Sequence, residues 1–146
     1  MAQISDETAK RVASVGFLVQ SLARKYDAIM LPWLEEIDLS PKLFPSLMML
    51  REEDGVNQTK LGERLKFPQY FTSRNVEALV KAGFVERRPD PESRRAILLF
   101  LTKAGRIKAD LLPGIVRKVN DQVLREFAVE ERENLTDLLQ RANNSN

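Results

Sequence analysis

Apolar residues recur at intervals of three and four through the first part of the chain, at Val12, Val15, Leu18, Val19, Leu22, Ala23, Tyr26, Ile29 and Met30. That spacing predicts a helix over residues 5–31, stopping before Pro32. PWLEEIDLS then reads as a connector. Ser40 is placed to cap a second helix with Pro41 at its first position, and Phe44, Leu47, Met48 and Leu50 supply the apolar stripe. Pro45 falls past the turn in which a missing N–H is harmless, which predicts a bend or a tightened start. After REED, Gly55 is a left-handed stop signal. Asn57 can cap a short helix over 58–65 that turns Leu61 and Leu65 inward. Beyond Lys66 and Phe67, Pro68 starts another helix reaching Lys81, with Thr72, Val76, Leu79 and Val80 on one face. Gly83 ends it.

The pattern then changes period. FVERR begins as a strand, PDPES cannot continue a central sheet and reads as a turn, and RAILLFL is a second strand, so 84–101 predict a β-hairpin. Thr102 can cap a long helix in which Leu112, Ile115, Val116, Val119, Val123 and Phe127 repeat at three to four residues, with a kink expected at Pro113-Gly114. A last helix near 130–142 carries Leu135, Leu138 and Leu139, and RANNSN reads as a frayed end. Two short helices followed at once by a two-stranded hairpin are the layout of a winged helix-turn-helix. The expected fold class is therefore mainly α (α+β). A single domain spans 1–146, its winged lobe at 40–101 flanked by helical regions at 5–31 and 102–142. The coiled-coil-like repeat from Leu112 to Phe127 points to self-association.

Composition narrows the chemistry more than the fold. With 146 residues, 43% hydrophobic and 30% charged, the chain can bury a real core and lies far from the disordered range. No apolar run reaches the roughly 18 residues a membrane helix needs, and the N-terminus lacks a signal-type pattern, which points to a cytoplasmic protein without membrane contact. There is no Cys and no His. Disulfides, thiol nucleophiles, imidazole bases and the usual zinc sites fall away together, and no Gly-rich phosphate loop or nucleophile elbow is present. The acids Glu35, Glu36, Glu52, Glu53 and Asp54 lie beside turn signals and read as solvated surface charge. The expectation is a non-enzyme with no metal and no cofactor.

Charge matters here by location. Basic residues exceed acidic ones only by 23 to 21, yet between Val85 and Arg106 six cations (Arg87, Arg88, Arg94, Arg95, Lys103, Arg106) face three acids (Glu86, Asp90, Glu92). A cationic hairpin suits phosphate attraction and counterion release, and arginine suits a narrow minor groove. Against this stands a solvated hairpin whose arginines pair with Glu86, Asp90 and Glu92. On the helix begun by Pro68, burying the apolar face turns Gln69, Tyr70, Ser73, Arg74 and Glu77 outward, a set rich in groups that hydrogen-bond bases or phosphates. Arg74 is the leading contact candidate, its competing role being a surface pair with Glu77. Phe71 fits core or contact equally. The function expected is sequence-specific binding of double-stranded DNA. The alternative is a winged-helix protein-interaction module, which a titration with upstream DNA separates from it.

GFLVQSLARKYD, LSPKLFPSLMML, VNQTKLGERL and, most specifically, AGFVERRPDPESRRAILLFLTKAGR resemble the MarR family of winged-helix transcriptional regulators over most of the chain. The resemblance implies homodimers held by N- and C-terminal helices, a pseudo-palindromic operator, recognition helices in its major grooves and wings in the flanking minor grooves. By alignment, Gln69, Tyr70, Ser73 and Arg74 match recognition-helix contacts, and Arg94 and Arg95 match wing-tip arginines. It also implies repression relieved by a small aromatic or lipophilic ligand, with Tyr26, Met30, Trp33 and Phe44 near the family's pocket. The absence of Cys and His argues against the peroxide-sensing and zinc-sensing branches. Five positions, at three places in the chain, depart from the family pattern. Ser93 replaces the Asp of the D-x-R wing motif, leaving Asp90 or Glu92 to brace the arginine. Pro68, Gln69 and Tyr70 replace small hydroxyl residues at the recognition-helix start, and Ala128 replaces the Ser or Thr that caps the last helix.

Overall fold

The computed structural model describes residues 4–145. The first predicted helix is two. Helix α1 (Asp6–Val12) is capped by Ser5, and α2 (Val15–Glu36) by Ser14, whose side chain accepts from the Phe17 amide. The expected stop before Pro32 is not observed, because the helix continues through that proline to Glu36. Proline costs a helical hydrogen bond, but Pro32 lies on the exposed face, and the extra turn buries Leu34 and packs Trp33 against the core. Tertiary burial outweighs the local penalty.

The start of the next helix also differs from expectation. Residues 41–43 form a turn, in which the Leu43 amide donates to the Ser40 carbonyl, and α3 (Phe44–Glu52) begins after it. Pro45 is thereby in the first turn, where its missing N–H has no helical partner to lose. Helix α3 turns Ser46, Leu47 and Leu50 into the core. Asn57 caps α4 (Gln58–Leu65) by accepting from the Lys60 amide at 2.8 Å. Pro68 precedes α5 (Gln69–Lys81), and the two helices approach so closely that a Cβ on Gly62 would lie 2.8 Å from Thr72 Oγ1. Between them Lys66 adopts the left-handed conformation, φ 55° and ψ 37°, that closes the turn.

Strands β1 (Val85–Asp90) and β2 (Ser93–Leu101) form the antiparallel hairpin. The turn is tighter than PDPES suggested, since Pro89 and Asp90 belong to β1 and Pro89 faces Ile97. A proline is tolerated in β1 as an edge strand. On its other side β2 is pinned to the 54–56 loop: the Gly55 amide donates to the Leu99 carbonyl at 2.6 Å and the Leu99 amide to the Val56 carbonyl at 2.8 Å. Thr102 caps α6 (Lys103–Asp110), as expected, and a Cβ on Gly105 would overlap the Phe84 carbonyl oxygen. The interruption expected at Pro113-Gly114 falls at Leu111, where α6 ends and α7 (Leu112–Val123) starts anew with Pro113 in its first turn. Phe127 lies beyond it. The last helix, α8 (Val129–Asn144), extends further than 130–142, through most of the segment read as frayed. Ala128 has no capping oxygen, and Glu131 supplies only the return bond, accepting from the Ala128 amide at 2.9 Å.

One core joins the lobe to the inner ends of α2 and α7. It comprises Leu34, Leu47, Leu50, Val56, Leu61, Val76, Leu79, Val85, Leu99, Leu112 and Val119, among others. The fold is mainly helical with a single two-stranded sheet among the described residues, a winged helix-turn-helix with helical extensions. No helix of the described residues is long and apolar enough to cross a membrane.

Candidate nucleic-acid interface

Helix α5 presents two chemically distinct faces. Thr72, Val76 and Leu79 are buried as the periodicity predicted, and Thr72 Oγ1 also donates to the Pro68 carbonyl, tightening the first turn. Asn75 joins them unexpectedly, only 4% exposed, its Nδ2 without a hydrogen-bond partner. The opposite face carries Gln69, Tyr70, Arg74 and Glu77 exposed, with Ser73 half-buried. Tyr70 keeps 67% of its surface, which is high for an aromatic with no partner role in its own chain. Arg74 forms no ion pair with Glu77 or any other described residue. Phe71 is half-buried and meets Phe67 edge to face at 4.9 Å between centroids.

The wing sorts its cations into two groups. Arg88 is spent internally: its guanidinium donates to Glu86 and lies over the Phe100 ring at 4.4 Å. Arg106 is likewise held, 3.5 Å from Asp54 and donating to the Arg51 carbonyl. Arg87, Arg94, Arg95 and Lys103 are exposed and have no ion pair among the described residues. Register explains where two of them point outward from. Pro89 pairs with Ile97 and Asp90 with Ser93, so Arg94, Arg95 and Ala96 have no partner on β1 and form a bulge at the tip. Bulges re-aim side chains and end pairing. The brace sought for these arginines is absent: Asp90 instead accepts from the Glu92 amide at 2.9 Å, closing the turn, and Glu92 makes no pair.

The four residues expected near an effector pocket all pack against the core, and no one cavity among the described residues brings them together. Tyr26 lines a cavity of about 450 Å³ between α2, α7 and α8, facing Leu124, Arg132 and Leu139. Burial raises its phenol pKa, opposed by the Arg132 guanidinium. Trp33 lines another cavity and stacks under the Lys118 ammonium at 4.5 Å. Met30 and Phe44 pack against the core. A different groove, about 480 Å³, lies between α2 and the lobe, lined by Asp27, Leu31, Pro41, Pro45, Phe67 and Phe71. None of these is among the four pocket residues that the resemblance implies. Pairings across 47 residues, such as Asp54 to the Leu101 amide at 3.0 Å, carry no local signal at all.

Comparison with known proteins places this geometry. Residues 37–96 match the model of the MarR family. The HTH-type transcriptional regulator YdcH of Bacillus subtilis is 30% identical over 129 residues, covering 86% of this chain and 87% of that one. A transcriptional regulator from Pseudomonas aeruginosa superposes with a TM-score of 0.81 at 28% identity, over 89% of this chain and 97% of that one. A MarR family regulator from Listeria monocytogenes, crystallised with 26mer DNA, gives 0.82 at 26% identity, over 89% and 87%. With the lobe, the unpaired face of α5 and the arginine-tipped hairpin all in place, this chain belongs to the MarR family of winged-helix transcriptional regulators.

Proposed function

We propose that the protein is a homodimeric repressor that reads a pseudo-palindromic operator and is released by a small organic effector. One observation carries the DNA-contact assignment. Arg88 and Arg106 are neutralised inside the fold, while Arg74, Arg94 and Arg95 are left exposed and unpaired. Ion-pairing partners for those three come from outside the chain, and phosphates supply them at a spacing a winged helix matches. Gln69, Tyr70, Ser73 and Arg74 serve as the major-groove set: the amide and guanidinium offer bidentate donors, and the phenol ring suits a thymine methyl. Arg94 and Arg95 enter the minor groove. Two-fold pairing of chains puts the half-sites about one helical turn apart.

The bare apolar faces of the terminal helices support the dimer. The aromatic groove between α2 and the lobe supports an effector that changes how the lobes are held apart. Tyr26, Met30, Trp33 and Phe44 remain candidates for a second effector position outside that groove, Tyr26 and Trp33 each lining a cavity of its own. The test is selection of bound duplexes from random DNA with the full chain, followed by salt titration of the selected site. Arg95→Ala is expected to weaken binding about tenfold across many sequences and to lower the salt slope by about one. Failure to enrich any duplex at low salt would replace this reading with a protein-interaction module. Screening phenolic and lipophilic compounds for release of the selected DNA tests the effector.

A further inference from the structure

We propose that Asp54 is a positioning residue for the wing, acting on DNA only through where it holds Arg94 and Arg95. The proposal rests on the DNA reading above. Asp54 follows α3 and reaches the far end of β2, where its Oδ2 accepts from the Leu101 amide at 3.0 Å. The same oxygen lies 3.5 Å from Arg106 on α6. Arg106 donates to the Arg51 carbonyl at 3.2 Å, and Arg51 donates to Asp110 at 3.0 Å, so the carboxylate sits at the head of a chain tying hairpin, α3 and α6 together. The loop beside it reinforces the clamp. Gly55, at φ +71°, lets the backbone approach Phe100 so closely that a Cβ would meet that ring at 3.0 Å, and Phe100 in turn carries Arg88.

The consequence is leverage. Arg95 lies six residues out from Leu101, about 20 Å along a strand, so a tilt of ~10° at the base carries the tip ~3.5 Å, enough to break a phosphate contact. The outer wing has no brace of its own, since Asp90 is committed to the turn and Ser93 has no carboxylate. Aim is therefore set at the root, by a residue that touches no DNA.

The experiment measures affinity and salt slope of Asp54→Ala on the selected operator, in the wild-type chain and in an Arg94→Ala/Arg95→Ala background. Asp54→Ala is expected to lose about tenfold in affinity and to lower the salt slope in the wild-type chain, yet to lose nothing further without the arginines. Asp54→Asn, which can still accept from Leu101, is expected to stay within about threefold of wild type. Equal losses in both backgrounds, or unchanged affinity and slope, overturn the proposal. Should Asp54→Ala fail to fold, Asp54→Asn and Arg106→Gln decide it by the same background comparison, each showing a smaller loss that vanishes without the arginines. If the arginine substitutions themselves leave binding unchanged, the wing reading fails and Asp54 falls with it; effective arginines with an inert Asp54 defeat the Asp54 proposal alone.

Discussion

In the winged lobe Leu47, Leu50, Leu61, Val76 and Leu79 are fully shielded, whereas in the terminal helices Val15, Leu18, Val19, Leu138 and Leu139 keep between 37% and 75% of their surface. Helices α1 and α8 bury no residue completely, and α2 buries only Leu34, near its C-terminal end. Both regions show the same amphipathic periodicity in sequence. The difference is closure: the lobe covers its apolar faces with its own chain, and the arms leave theirs uncovered. Scattered exposed apolar residues need no explanation, but a face continued along two helices does. A second copy is the partner proposed, and the contrast between a self-contained lobe and open arms can be tested directly.

The largest effect should come from the lobe. Leu61→Ala removes a side chain with no exposed surface, and a loss of about 2–5 kcal/mol in chemical denaturation is expected, independent of protein concentration. A loss under about 1 kcal/mol would mean that the lobe core is not closed. In the arm, Leu139→Asp should weaken self-association at least tenfold in sedimentation equilibrium, while the circular dichroism of the lobe persists. An unchanged dimer constant would remove α8 from the interface. A smaller gain is expected at the α8 start, where Ala128→Ser supplies the missing half of the capping box; it should add about 0.5–1 kcal/mol, read as a raised Tm.

The smallest effect concerns pH. Hydrogen bonds from Arg64 and Lys60 hold the Glu53 carboxyl below its ordinary pKa. A folded pKa below the unfolded one contributes stability above the unfolded value, and this is lost as pH falls through the folded one. Glu53→Gln should thus flatten the acid limb of the stability profile below about pH 4.3 with little change at neutrality. An identical acid limb would show that this exposed cluster is screened to nothing.

Most elements were legible because their signals are local. Asn57, Thr102 and Gly55 act on the residues beside them, and each does what its type predicts. The outward set on α5 followed from placing Thr72, Val76 and Leu79 inward. Pro45 marked the tightened start that the 41–43 turn supplies, whereas Pro32 misled. A proline's cost depends on which helical turn it occupies and on what the neighbouring residues bury, and Leu34 is a core residue whose weight the local pattern around Pro32 does not register. The wing was visible as a hairpin, but not which arginines were free.

By itself the sequence determined the winged helix-turn-helix layout, the exclusion of thiol and imidazole chemistry, and the concentration of arginines on a hairpin, since all three depend on residue type and near-neighbour spacing. Tertiary structure alone decided that Glu86 and Phe100 take Arg88, that Asp54 takes Arg106, and that a three-residue bulge leaves Arg94 and Arg95 unpartnered at the tip. It also put Tyr26 and Trp33 on different cavities. Charges pair through space, so partners far apart along the chain meet only when the backbone has closed.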